Sequence, residues 1–132
     1  MPDYTLVNLK TDVEDQAPKF GFAPDLESRF ARRTLGLQNS GLSYYRVAPD
    51  YRIPFGHRHG EQEEVYVLLS GSAQMKLDDE IVELRQWDAL RVPGDVTRGF
   101  ESGPDGAEIL AFGAPNTENA DAEMVQGWWT DE

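Results

Sequence analysis

From Leu42 to Phe112 the chain is a succession of short strand-forming segments, each closed by turn residues, and this pattern restricts the fold more than any other feature. Leu42 to Val47 is rich in Tyr and Val and stops at Pro49-Asp50. Glu64 to Leu69 reads as a strand closed by Ser70-Gly71-Ser72. Ala73, Met75 and Leu77 then alternate with Gln74, Lys76 and Asp78, the period of a half-buried strand. Ile81 to Leu84, Trp87 to Val92, Thr97 to Glu101 and Glu108 to Phe112 follow, with turns at Asp78-Asp79-Glu80, Pro93-Gly94-Asp95 and Gly103-Pro104-Asp105-Gly106. Strands this short are stable only in a closed or covered sheet, so the expectation is an all-β antiparallel barrel or sandwich.

The flanks differ in texture. Residues 1–41 read as an irregular arm with one short amphipathic helix over Asp25 to Leu35, where Leu26, Phe30 and Leu35 fall near helical spacing and Gly36 can end it. Residues 114–132 are a polar tail apart from Met124, Val125, Trp128 and Trp129, and the tryptophan pair is expected to dock on the barrel or on a partner subunit. At 132 residues the chain fits one compact domain.

Acidic residues outnumber basic ones 24 to 12, giving a formal charge of -12. Such a surface repels phosphate backbones and anionic lipid heads, so neither a nucleic acid nor a membrane is an expected partner. The absence of cysteine removes disulfides, thiolate metal sites and cysteine nucleophiles together. The opening residues lack a basic patch followed by an apolar run, and the expectation is a cytoplasmic protein.

Both histidines of the chain lie in Gly56-His57-Arg58-His59. Two positions apart on an extended segment, their imidazoles point the same way. Glu64 follows at the head of a strand. Two imidazoles and one carboxylate on one face, with open coordination positions, suit a divalent transition ion. Taken singly, an H-x-H pair is often two loop histidines and Glu63-Glu64 often a solvated strand end.

The run His57-x-His59, four residues, Glu64, six residues, Gly71 resembles the first motif of the cupin superfamily. The resemblance covers roughly residues 42 to 113 and implies a cupin β-barrel, or jelly roll. It implies that His57, His59 and Glu64 hold a metal such as Zn, Fe, Mn or Ni, and that the protein forms a homodimer. The departures are specific. Tyr51 stands where the first motif opens with Gly, and Trp87 where the second motif leads with Gly. Pro93 matches the second motif's proline, but Asp95 replaces its next Gly and Ser102 its terminal Asn. Arg98 stands where the family's last histidine ligand belongs.

A guanidinium about 6 Å from a divalent ion repels it by about 5 kcal/mol at an effective dielectric of about 20. Three arrangements answer that. The metal binds and Arg98 turns to a bound anion; or Arg98 pairs with Glu64 and no metal is held; or Arg98 faces outward toward surface acids such as Asp95. Arg98, with Tyr66 and Phe100 on neighbouring inward faces, is the expected substrate-binding set. Tyr44 or Tyr45, Arg46 and Met75 are further lining candidates. The function expected is metal-dependent oxygenation or isomerisation of a small anionic metabolite. The rival is a non-catalytic binding or sensing module in which Arg98 replaces the metal.

Overall fold

The computed structural model describes residues 2–115, 122–125 and 128–129. Eight strands make one curled antiparallel sheet: β1 (Leu26–Phe30), β2 (Gly41–Val47), β3 (Gly56–Arg58), β4 (Glu63–Leu77), β5 (Glu80–Leu84), β6 (Ala89–Val92), β7 (Arg98–Ala114) and β8 (Glu123–Val125). The helical elements are single turns, a 3-10 turn at Ala17–Phe20 and α1 (Arg32–Leu35). None of the described helices is long and apolar enough to cross a membrane.

The two long strands organise everything else. β4 and β7 pair along most of their length, from Glu63↔Ala114 to Leu77↔Arg98. Near one end they are flanked by β6 and by β2, which in turn pairs β1. Near the other end they are flanked by β5 and by β3, which in turn pairs β8. Between these halves the ladder carries register shifts at Leu68/Ser70 and Gly71/Ala73. There the sheet bends, and residues from both halves meet in one core that includes Tyr66, Leu68, Met75, Phe100, Ile109 and Ala111.

That bend corrects two expectations. Ser70-Gly71-Ser72 and Gly103-Pro104-Asp105-Gly106 do not close strands; each lies within one continuous strand. Gly71 has φ 81 and Gly106 φ 72, and a Cβ at Gly71 would sit 2.0 Å from the Gly106 carbonyl oxygen. Glycines that allow positive φ serve a bulge as well as a turn, and composition alone does not separate the two.

The helix expected over Asp25 to Leu35 is also corrected. Residues 26–30 are strand β1, registered from Leu26↔Val47 to Phe30↔Ser43, and only Arg32–Leu35 is helical, ending at the left-handed Gly36. Leu26 and Phe30 are four apart, a spacing that puts residues on one face of either a helix or a strand. The free hydrogen-bonding edge of β2 decides for the strand. Ion pairs from the Glu27 carboxylate to Arg29 and Arg46, at 2.6 and 2.9 Å, brace it.

Trp87, where the resemblance calls for Gly, has φ 73 and is 70% exposed, so β6 begins two residues later than expected. A left-handed L-residue is strained by about 1 kcal/mol or more. Trp87→Gly is therefore expected to raise stability by about 1 kcal/mol in chemical denaturation. A lower unfolding midpoint would show that the indole contributes more than the backbone strain costs.

Candidate metal centre in the barrel

Alternation along β3 and β4 sends His57, Glu64 and Tyr66 into the barrel, and His59 follows just beyond β3. The Nε2 atoms of His57 and His59 lie 3.5 and 3.3 Å from Oε1 of Glu64. The two imidazole rings are nearly perpendicular, at 89°. One ligand atom from each of the three residues falls within 4.8 Å of the others. Donors about 2.1 Å from a zinc-like ion are about 3.0 to 3.4 Å from each other in octahedral or tetrahedral geometry, and the two imidazole-to-carboxylate separations lie close to that spacing. Side-chain exposures of 22, 10 and 13% for His57, His59 and Glu64 leave the group nearly buried.

The Glu64 carboxylate is the hub. Tyr66 donates its hydroxyl to Oε1 at 2.7 Å and lies 3.4 Å from Nε2 of His57. Burial alone would push the Glu64 carboxyl up, but hydrogen bonding from His57, His59 and Tyr66 outweighs it and holds the carboxyl well below the usual range. Burial and the neighbouring carboxylate push the Tyr66 phenol up. The hydroxyl therefore stays protonated and can serve only as a donor toward Glu64. Tyr45, whose phenol is also raised by burial, faces inward and packs edge-on against Phe100 at 5.5 Å. Tyr44 lies on the opposite face of β2, is buried there, and its hydroxyl donates to Glu108.

Arg98 faces inward and is completely buried, which excludes the outward arrangement. Its Nη1 donates to the carbonyl of Gly94 at 3.4 Å, and its Nη2 to those of Val92 and Pro93 at 3.4 and 3.1 Å. Its Nε lies 3.8 Å from Oε1 of Glu64, close enough for charge attraction and too far for a hydrogen bond, and it has no other hydrogen-bond partner. The fork expected to face a substrate is thus engaged with backbone. Phe100, 4% exposed, is a core residue in the same apolar cluster as Tyr66.

Sequence reasoning did not foresee that the turn after β6 presents three carbonyls to Arg98. The signal was present in Val92-Pro93-Gly94, because a proline in a tight turn leaves an acceptor without a matching donor. An open cleft of about 380 Å³, lined by Asp78, Asp79, Glu80, Arg91 and Pro93 among others, lies outside this group. Within it the Asp78 carboxylate is already engaged, accepting from the Thr97 amide at 3.0 Å.

Comparison with known proteins supports the architecture. A cupin protein from Bacteroides fragilis superposes with a TM-score of 0.71 at 23% identity, covering 89% of each chain. The polyketide cyclase RemF from Streptomyces resistomycificus gives 0.72 at 21% identity, covering 96% of this chain and 87% of that one. The Streptomyces nucleoside dehydratase Pac13 gives 0.69 at 16% identity, covering 96 and 92%. The chain has the cupin fold. In sequence, an uncharacterised protein of Methanocaldococcus jannaschii is 30% identical over 71 residues, which are 53% of this chain and 57% of that protein. No family profile matches.

Removing one partner from a buried charge network costs about 3 to 5 kcal/mol. Arg98→Met strips three carbonyls of their donors and Glu64 of its cation, and is expected to lower stability by about 3 kcal/mol in urea. A loss under about 1 kcal/mol would mean that the guanidinium is not an integral part of the barrel wall.

Proposed function

We propose that the protein is a metal-binding cupin that holds a divalent transition ion on Nε2 of His57, Nε2 of His59 and the Glu64 carboxylate, and presents it to a small anionic metabolite. The convergence of those three donor atoms, at 3.3 and 3.5 Å from one carboxylate oxygen, carries the reading. An ion held there by three protein ligands would supply Lewis acidity and open positions for a ligand, the setting for the oxygenase or isomerase chemistry expected from the sequence.

The chain's own residues set the terms. Tyr66 fixes the rotamer of Glu64 through its 2.7 Å hydrogen bond. Arg98, buried and paired with backbone, places a permanent positive charge behind Glu64. With a divalent ion present the group carries two net positive charges, which a buried site tolerates poorly without an anion. The support for an anionic ligand is this charge balance and not a guanidinium fork. Relatives with the same fold include a cyclase and a dehydratase, but a fold does not select a reaction.

One observation favours the rival reading. Without a metal, Arg98 and Glu64 at 3.8 Å already balance each other's charge, as in a metal-free binding or sensing module. Elemental analysis of protein purified without added metal separates the two. The expectation is about one ion per chain in the wild type and little in His57→Ala/His59→Ala. Substoichiometric metal, unchanged in the double variant, would establish the rival.

The reading includes a homodimer. Its support is an outward row of half-buried and exposed apolar residues, Leu42, Val65, Val67, Leu110 and Phe112, on adjoining strands. Two copies carrying -12 each repel through most of their surface and can meet with least penalty on such a face. Sedimentation at micromolar concentration is expected to give twice the 14.9 kDa chain mass. A single monomeric species would contradict it.

A further inference from the structure

We propose that strand β8 and the Trp128-Trp129 pair form a clasp that positions the two histidines, with Trp128 as its positioning residue. The inference rests on the reading of His57, His59 and Glu64 as metal ligands. Both histidines hang on or just beyond β3, which is three residues long. On the β7 side its ladder registers one pair, His57↔Arg98. On the other side β8 pairs with its whole length, Gly56↔Val125, His57↔Met124 and Arg58↔Glu123. The last pair is tied again by a two-bond fork between the Arg58 guanidinium and the Glu123 carboxylate, at 3.1 and 3.0 Å.

A second hold acts on the outer face. Because His57 and Arg98 point inward, their neighbours Gly56 and Gly99 face outward. Trp128 lies directly on that glycine surface. A Cβ at Gly56 would be 2.7 Å from its ring carbons, and one at Gly99 would be 3.2 Å from its Nε1. Any side chain at Gly56 would displace the indole. Lys76, 8% exposed, holds it in place, with Nζ over the ring 4.3 Å from its centre and donating to the Trp128 carbonyl at 2.8 Å. Trp129 anchors the next residue by donating from Nε1 to the Ile53 carbonyl at 2.7 Å, with the Arg52 guanidinium 4.3 Å above its ring.

The consequence is geometric. Glu64 and Tyr66 stand on β4, a long strand paired on both sides, and are fixed by the barrel itself. His57 stands on, and His59 directly follows, a strand whose outer edge and outer face are both covered by residues from the far end of the sequence. Metal–ligand bond lengths are set to within about 0.2 Å, so loosening β3 is expected to weaken binding without removing a ligand.

Titration with cobalt(II) alone, followed by visible absorption, tests this, because both affinity and band shape report the ligand geometry. Trp128→Ala and Gly56→Ala are expected to bind cobalt at least about tenfold more weakly, the range for residues that orient metal ligands, with an altered spectrum. Trp128→Phe keeps a flat ring on the seat and is expected to restore most of the affinity and the wild-type band. Unchanged affinity and spectrum in Trp128→Ala and Gly56→Ala, with normal binding by the wild type, would overturn the clasp and leave the metal site standing. No cobalt binding by the wild type would overturn both readings. Should Trp128→Ala fail to fold, Glu123→Gln breaks the fork without touching the indole seat, and a roughly twofold weakening is expected there. Unchanged cobalt affinity in that variant would count against the clasp.

Discussion

One oxygen atom, Oε1 of Glu64, gathers the interior of this barrel. The Tyr66 hydroxyl donates to it, the Nε2 atoms of His57 and His59 stand within 3.5 Å, and the Arg98 guanidinium faces it at 3.8 Å. A carboxylate this deeply buried is costly unless it is paired and hydrogen-bonded. Each of its neighbours is delivered by a different stretch of chain: the histidines by β3 and the residues just after it, Tyr66 by β4 itself and Arg98 by the start of β7. The site is therefore a statement about how three strands are registered. The bends in β4 and β7 are what bring those strands around a common interior.

Arg98 gives the site its particular character. Its hydrogen bonds to the carbonyls of Val92, Pro93 and Gly94 tie the charge to the turn between β6 and β7. Whatever else enters the barrel must accommodate a resident cation. A divalent ion would do so with the help of Glu64 and an anionic ligand; without one, Glu64 alone balances it at 3.8 Å.

Much of this was legible in the sequence. The H-x-H spacing, Glu64 and the alternation through Tyr66 placed three donors on facing strands, and the structure brings their atoms together. Of the three arrangements open to Arg98, the outward one is excluded by its burial, but its partners are backbone carbonyls, signalled in the sequence only by the proline at position 93. The helix expected over Asp25 to Leu35 failed because Leu26 and Phe30 fit two periods at once, and only the tertiary edge of β2 chose between them. The turns expected at Gly71 and at Gly103 to Gly106 became bends because glycine supplies positive φ for both. Gly56 and Gly99 were opaque for another reason: their purpose is to leave room for a tryptophan far along the chain.

The central claim, that His57, His59 and Glu64 are ligands to one ion despite Arg98, is tested most directly by X-ray absorption at the edge of the bound metal. Two imidazole nitrogens are expected at about 2.1 Å, with the outer-ring scattering of histidine, and further oxygen ligands at about 2.0 to 2.2 Å. A shell of oxygens without imidazole scattering would place the ion elsewhere, among surface carboxylates, and contradict it.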